Sequence, residues 1–158
     1  MQFYSTNRKT SPVSLREAVV RGLAADRGLF LPEVIRRFPP AFYQNMKEMT
    51  LREISFVVAE AFFGEDVEAG KLKEIVDETL NFDIPLVQVA DNRYSLELFH
   101  GPTLAFKDVG ARFMARLLAY FNKQEGERQV NVLVATSGDP GSAVANGFLD
   151  VPGGKVFV

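Results

Sequence analysis

In the first half of the chain, apolar residues recur every three or four positions, which is the spacing of one helix face. The segment from Ser14 to Gly22 predicts one helix. Thr50 and Glu53 open a second, which should end at Gly64, because a hydroxyl residue followed three positions later by glutamate is a capping box. A further helix is predicted over residues 66–80, so this half is expected to be mainly helical.

Beyond Pro85 the pattern changes to short apolar runs that alternate with helical segments. Strands are predicted at 86–89, 94–98, 130–134 and 155–158, and helices at 106–121 and 141–148. This alternation is typical of an α/β fold with a parallel sheet. We therefore expect a mainly helical N-terminal subdomain over 1–85, with a helical turn near 33–38, and an α/β domain over 86–158. Because the chain stops directly after an apolar strand, we expect that domain to be incomplete and the chain to be a fragment.

The composition limits which partners and which kinds of site we expect. The 158 residues include 18 Lys and Arg against 20 Asp and Glu, for a formal charge of −2, so we expect neither nucleic acid nor membrane as a partner. The absence of cysteine excludes disulfides and thiolate sites and favours the cytoplasm. The single histidine, His100, is expected to have a structural role.

Lys107 is the first candidate functional residue. It follows Gly101-Pro102 and the apolar run Leu104-Ala105-Phe106, at the predicted start of a helix. The partial positive charge of a helix N-terminus disfavours a second positive charge, so an amine there is suited to nucleophilic chemistry. A lysine with an apolar neighbourhood can form a Schiff base with an aldehyde cofactor. The alternative is a surface lysine that pairs with Asp108.

A second candidate segment, Ala135 to Ala143, joins a strand to a helix. Its hydroxyls, small residues and backbone N–H groups predict an anion site, suited to a substrate carboxylate. The alternative is an ordinary helix start with Asp139 as N-cap and Pro140 in the first helical position.

Together these segments resemble the threonine synthase family. The resemblance rests on His-Gly-Pro-Thr-Leu-Ala-Phe-Lys-Asp at 100–108, on Ala-Thr-Ser-Gly-Asp at 135–139, and on the opening blocks at 4–8, 13–19 and 22–32. It implies a tryptophan-synthase-β-like, fold-type II enzyme of pyridoxal 5'-phosphate, with Lys107 as the Schiff-base lysine and catalytic residue.

The resemblance also implies roles for neighbouring residues. Phe106 and Asp139 would contact the cofactor, and Asp108 would fix the helix start. The substrate would be bound by Thr136, Ser137, Gly138 and Asp139. Pro140 departs from the family, which usually has threonine there, and this weakens anion binding by the turn.

The reaction implied is the conversion of O-phospho-L-homoserine and water to L-threonine and phosphate, by a carbon-oxygen lyase acting on phosphates. Two alternatives stay open, a serine/threonine dehydratase-like lyase and a non-catalytic interaction module. We expect the cofactor phosphate site beyond Val158, in the remainder of the chain, so the fragment alone should be inactive.

Two groups of charged residues can be explained without a role in catalysis or metal binding. Arg112 and Arg116 could reach a phosphate or form the wet face of a helix. The acidic residues Glu65, Asp66 and Glu68 are expected to lie at a solvated helix start rather than to bind metal.

Overall fold

The computed structural model describes residues 1–124, 126, 129–136 and 138–158. The chain divides into two compact units, Met1–Asp77 and Glu78–Val158. It combines helices with small sheets, one of them parallel, and so confirms the predicted mixed α/β class. No helix among the described residues is long and apolar enough to cross a membrane.

The first unit opens with a three-stranded antiparallel sheet that the sequence did not predict. Its strands are β1 (Gln2–Ser5), β2 (Val13–Ser14) and β3 (Phe30–Pro32), in the order β2-β1-β3. Phe3 and Ser5 on β1 are buried, as expected for alternate positions of a strand with one face toward the core. The loops at the end of this sheet are joined by Asp26, whose carboxylate accepts hydrogen bonds from Ser5 and from the backbone of Lys9 and Gly28.

Four helices follow: α1 (Leu15–Arg21), α2 (Pro40–Asn45), α3 (Leu51–Phe63) and α4 (Ala69–Thr79). The last two residues of α4, Glu78 and Thr79, already belong to the second unit. A 3-10 turn, Met46–Glu48, follows α2. The predicted capping box is present at the start of α3, where the Thr50 and Glu53 side chains each accept from the other's backbone N–H. The helix predicted over 66–80 is α4, and its Leu72 is fully buried.

The predicted helical turn at 33–38 is wrong, because that segment is irregular and the helix begins only at Pro40. Proline suits a first helical position, where no backbone N–H is needed. The acidic residues before α4 are not simply solvated, since Glu65 and Asp66 form ion pairs with the N-terminal amine of Met1.

The first strands of the second unit form an antiparallel hairpin of β4 (Leu86–Ala90) and β5 (Arg93–Leu96), as predicted. Helix α5 (Lys107–Gln124) follows and supplies most of the unit's buried apolar side chains. The strands β6 (Val130–Leu133) and β7 (Gly154–Phe157) then pair in parallel, with α6 (Asp139–Gly147) between them. This β-α-β unit places the turn that follows β6 at the carboxyl end of the parallel sheet, where ligands of α/β proteins bind.

Helices α5 and α6 pack closely. A Cβ added to Gly147 would lie 2.9 Å from the carbonyl carbon of Ala111, so the two backbones are in direct contact there. Ala111 lies one helical turn beyond Lys107. The close contact therefore holds the first turns of α5 against α6.

Candidate active site

Lys107 is the first residue of α5, as the sequence predicted. Its side chain is half-buried, and the amine lies 4.5 Å from the centroid of the Phe106 ring. Phe106 is itself 60% exposed and Leu104 is 75% exposed, so the amine is next to an apolar surface open to solvent. An amine over an exposed aromatic ring suits a site that receives a planar, partly apolar ligand.

Asp108 does not pair with Lys107, contrary to the surface-lysine alternative. It is fully buried, and both carboxylate oxygens accept hydrogen bonds from Thr103, at 2.9 Å from the backbone N–H and 2.6 Å from the hydroxyl. Asp108 therefore ties the loop before α5 to the first turn of that helix. Thr103 could not be identified from the sequence, because a hydroxyl five residues before a carboxylate has none of the recognised capping spacings.

Gly101 lies in close contact with the Asp108 side chain that pairs with Thr103. A Cβ at position 101 would be 2.5 Å from Oδ2 of Asp108 and 3.0 Å from the Phe82 ring, too close for any side chain. The glycine of the Gly-Pro pair is thus required for the approach of the loop to Asp108. His100, next to it, accepts or donates a hydrogen bond with Glu97 at 2.7 Å, a local structural contact.

Arg112 contradicts both interpretations offered for it. Its guanidinium is buried and donates to the carbonyl oxygens of Glu78 and Thr79 and to Asn81. Burial, assisted by the neighbouring positive charge of Arg116, lowers the pKa of Arg112, while Asp108 and Glu78 partly oppose that shift. The Arg112 side chain donates hydrogen bonds to the carbonyl oxygens at the end of α4. It therefore does not lie on a solvent-exposed helix face, and it is not available to bind a phosphate.

The second candidate segment is the turn between β6 and α6. Thr136, Gly138 and Asp139 are exposed, and the Thr136 hydroxyl accepts from the N–H of Gly138 at 3.4 Å. Ser137 lies outside the described residues. A Cβ on Gly141 would meet the Thr136 methyl group at 2.4 Å, so the turn folds tightly onto the first turn of α6.

The predicted alternative placed Asp139 as N-cap, and this is wrong by one residue. Gly138 is the N-cap, Asp139 is the first helical residue and Pro140 follows it. Gly138 has no side chain with which to cap the helix, and the Asp139 carboxylate is exposed at its start. Within the described residues, no hydrogen bond or ion pair links Lys107 to this turn, although both belong to the second unit.

Comparison with known proteins gives consistent matches. A family model described as the N terminus of threonine synthase matches residues 2–80. Threonine synthase from Serratia marcescens is 39% identical over 158 residues, and the threonine synthase of Escherichia coli (strain K12) is 37% identical over the same length. In both cases the alignment covers 100% of this chain and 36% of the relative. The chain thus spans about a third of the length of the curated relatives it matches.

Solved structures match over nearly the whole chain. The crystal structure of threonine synthase from Escherichia coli has a TM-score of 0.89 at 38% identity, covering 99% of this chain and 36% of that one. The PLP-bound threonine synthase from Brucella melitensis has a TM-score of 0.92 at 34% identity, covering 99% of this chain and 34% of that one.

Proposed function

Because the chain belongs to the threonine synthase family, we propose that the full-length protein uses pyridoxal 5'-phosphate to convert O-phospho-L-homoserine and water to L-threonine and phosphate. The observation that carries this proposal is the placement of Lys107. It is a half-buried lysine at the first position of α5, with its amine over an exposed phenyl ring and its acidic neighbour bonded elsewhere. The relatives that match the chain are threonine synthases, which favours this reaction over the dehydratase-like and non-catalytic alternatives.

The residues present fit this cofactor. Lys107 would hold the cofactor covalently through Nζ, and Phe106 would contact its ring. Asp139, at the turn at the carboxyl end of the parallel sheet, would also contact the cofactor. When bound, the cofactor accepts electron density from the carbon atoms of an amino-acid substrate and so makes loss of phosphate possible. Among the described residues, the Lys107 amine lies over the Phe106 ring and forms no hydrogen bond or ion pair that would have to be broken first.

Once Lys107 is no longer bound to the cofactor, its amine would act as the acid–base group. Its Nζ would accept protons from the substrate Cα and Cβ as phosphate leaves from Cγ, and would return protons to Cγ and Cα. The hydroxyl of a water molecule would add at Cβ, and the remaining proton of that water would go to the released phosphate. Thr136, Ser137, Gly138 and Asp139 would orient the substrate at the β6–α6 turn. Pro140 contributes no backbone N–H there, so the turn offers fewer donors to an anion than a threonine at that position would.

We further propose that these 158 residues alone do not catalyse the reaction, since they span about a third of the length of the relatives. On the same basis, the division into a subdomain over 1–85 and a cofactor domain from residue 86 stays a prediction for the full-length protein. A small-molecule substrate and the remainder of the chain are the partners that the proposal requires.

Replacing the lysine tests the proposal. In the full-length protein, Lys107→Ala should abolish both the visible absorbance of the lysine-bound cofactor and phosphate release from O-phospho-L-homoserine. Lys123→Ala is the matched control, because Lys123 is exposed in the last turn of the same helix and should be dispensable. Turnover of serine in preference to O-phospho-L-homoserine would favour the dehydratase alternative. Retention of activity by Lys107→Ala would exclude the proposed role of this residue.

A further inference from the structure

The loop before Lys107 is closed by a buried, charge-assisted pair. The Asp108 side chain is 0% exposed, and Thr103 donates to both of its oxygens, once from the backbone and once from the hydroxyl. A carboxylate removed from water must have such partners, because an unpaired buried charge is strongly unfavourable. Lys107 adjoins Asp108 inside the segment that this pair closes.

The closed loop contains backbone strain. Leu104 has a φ of +57°, a left-handed conformation that non-glycine residues seldom adopt. Its side chain is 75% exposed, so burial of the leucine does not compensate for that conformation. Strained positions persist when the surrounding contacts hold them in place, and they concentrate at functional sites. Here the neighbouring Thr103–Asp108 pair keeps Leu104 in this conformation.

A second contact restricts Asp108. Gly101 is buried against the Asp108 side chain, with no space for even a methyl group between them. One turn further along α5, Arg112 is anchored by the carbonyls of Glu78 and Thr79. The first turn of α5 is therefore held at its loop side and at its next turn, which leaves little freedom for the helix end that carries Lys107.

We propose that Thr103, acting through Asp108, is a positioning residue that fixes the direction of the Lys107 amine. This inference deepens the proposed function and rests on it. The first turn of a helix ordinarily frays, since its N–H groups lack partners within the helix. Without the pair, the Lys107 amine would sample several directions, and its reaction with an aldehyde would slow because fewer encounters have the right geometry.

The test measures how fast the lysine captures the cofactor. Full-length protein freed of cofactor is mixed with pyridoxal phosphate and reduced with borohydride at timed intervals. Peptide mapping then gives the modified fraction of Lys107 relative to Lys123, the exposed lysine at the other end of α5. Thr103→Val removes the hydroxyl at nearly constant volume, whereas Thr103→Ser keeps it. The thermal unfolding midpoint of each variant is recorded alongside.

We expect Thr103→Val to slow modification of Lys107 by about 10- to 100-fold, the effect of misplacing a reacting group by about 1 Å. Modification of Lys123 should not change, and Thr103→Ser should restore most of the Lys107 rate. A uniform slowing of both lysines, or an unchanged Lys107 rate in a folded Thr103→Val protein, overturns the positioning role. If Thr103→Val does not fold, Asp108→Asn, which keeps the shape but loses the charge, must slow Lys107 selectively for the inference to stand.

The wild-type protein separates the two proposals. If wild-type Lys107 is not modified at all, the proposed function fails, and the positioning role fails with it. If wild-type Lys107 is modified and the protein turns over substrate, but the Thr103 variants match the wild type, only the positioning role is overturned.

Discussion

Replacing Gly101 with alanine should destabilise the protein by pushing on Asp108. The added Cβ would lie 2.5 Å from Oδ2 of Asp108, about 0.9 Å short of the 3.4 Å at which ordinary contact begins. The backbone does not oppose the change, because Gly101 is not among the residues with positive φ. The effect should therefore be steric, and the side chain that must move is fully buried.

The magnitude follows from what that movement breaks. Displacing Asp108 by close to 1 Å cannot preserve both of its hydrogen bonds to Thr103, at 2.6 and 2.9 Å. Losing one hydrogen bond to a charged group costs about 1.5–3 kcal/mol, and overpacking adds about 1–3 kcal/mol. Since part of the strain is relieved when the bond breaks, we expect a loss of about 2–4 kcal/mol in the free energy of unfolding.

Urea denaturation of the full-length protein without cofactor is the assay, with Gly110→Ala as the matched control. Gly110 is exposed in the first turns of α5, and a Cβ there meets no described atom within 4 Å apart from its chain neighbours and the nearby backbone of its own helix. Alanine is the better helix former, so this variant should gain about 0.5–1 kcal/mol. Opposite signs for two glycine-to-alanine changes nine residues apart would confirm the reasoning. A Gly101→Ala protein as stable as the wild type, or an equal loss in both variants, would refute it.

Two further predictions concern the first unit. Leu72 is fully buried on α4, so Leu72→Ala should lower the free energy of unfolding by about 2–5 kcal/mol through lost burial and a cavity. Urea denaturation should detect this, and a loss below about 1 kcal/mol would show that the site is not packed as described. For Asp26, the hydrogen bond from Ser5, with those from the Gly28 and Lys9 backbone, lowers the pKa despite partial desolvation. A carboxyl with a depressed folded-state pKa stabilises the protein above its ordinary pKa of about 4, and this contribution is lost as pH falls through the folded value. The stability advantage of wild type over Asp26→Asn should therefore shrink on acidification below about pH 4. An advantage that stays constant down to acid pH would contradict this account.

The elements that the sequence predicted correctly are those with strong local signals. Thr50 and Glu53 form their capping box from neighbouring residues alone, and the Asp91-Asn92 turn needs only two residues, with Asn92 adopting the positive φ that asparagine tolerates. The helical start at Lys107 was likewise marked by the preceding Gly-Pro and apolar run. All three features could be predicted because the residues that form each of them are close together in the sequence.

The missed elements depend on contacts between distant residues. The strand Gln2–Ser5 pairs with residues 13–14 and 30–32, and its inward Ser5 interrupts the apolar alternation that would have revealed a strand. Arg112 was read as a surface or phosphate-binding residue because nothing near it in sequence shows that it is bonded to carbonyls more than 30 positions earlier. The pairing of Thr103 with Asp108 was hidden for a different reason, since it uses a spacing that no common motif shares.

The site prediction follows the same division. The sequence placed Lys107 at a helix start and Thr136 to Asp139 at a strand-to-helix turn, and both placements hold for the residues described. Their chemical roles come from the family resemblance and stay proposals. The contact of the amine with the Phe106 ring and the hold of Thr103 on Asp108 required three-dimensional coordinates.

The most direct test of the account is to find which lysine carries the cofactor. The full-length protein, purified with pyridoxal phosphate, would be reduced with borohydride and its peptides mapped by mass spectrometry. We expect one equivalent of cofactor, attached to Nζ of Lys107. Attachment mainly at another lysine such as Lys123 or Lys155, or no attachment in folded protein, would contradict it.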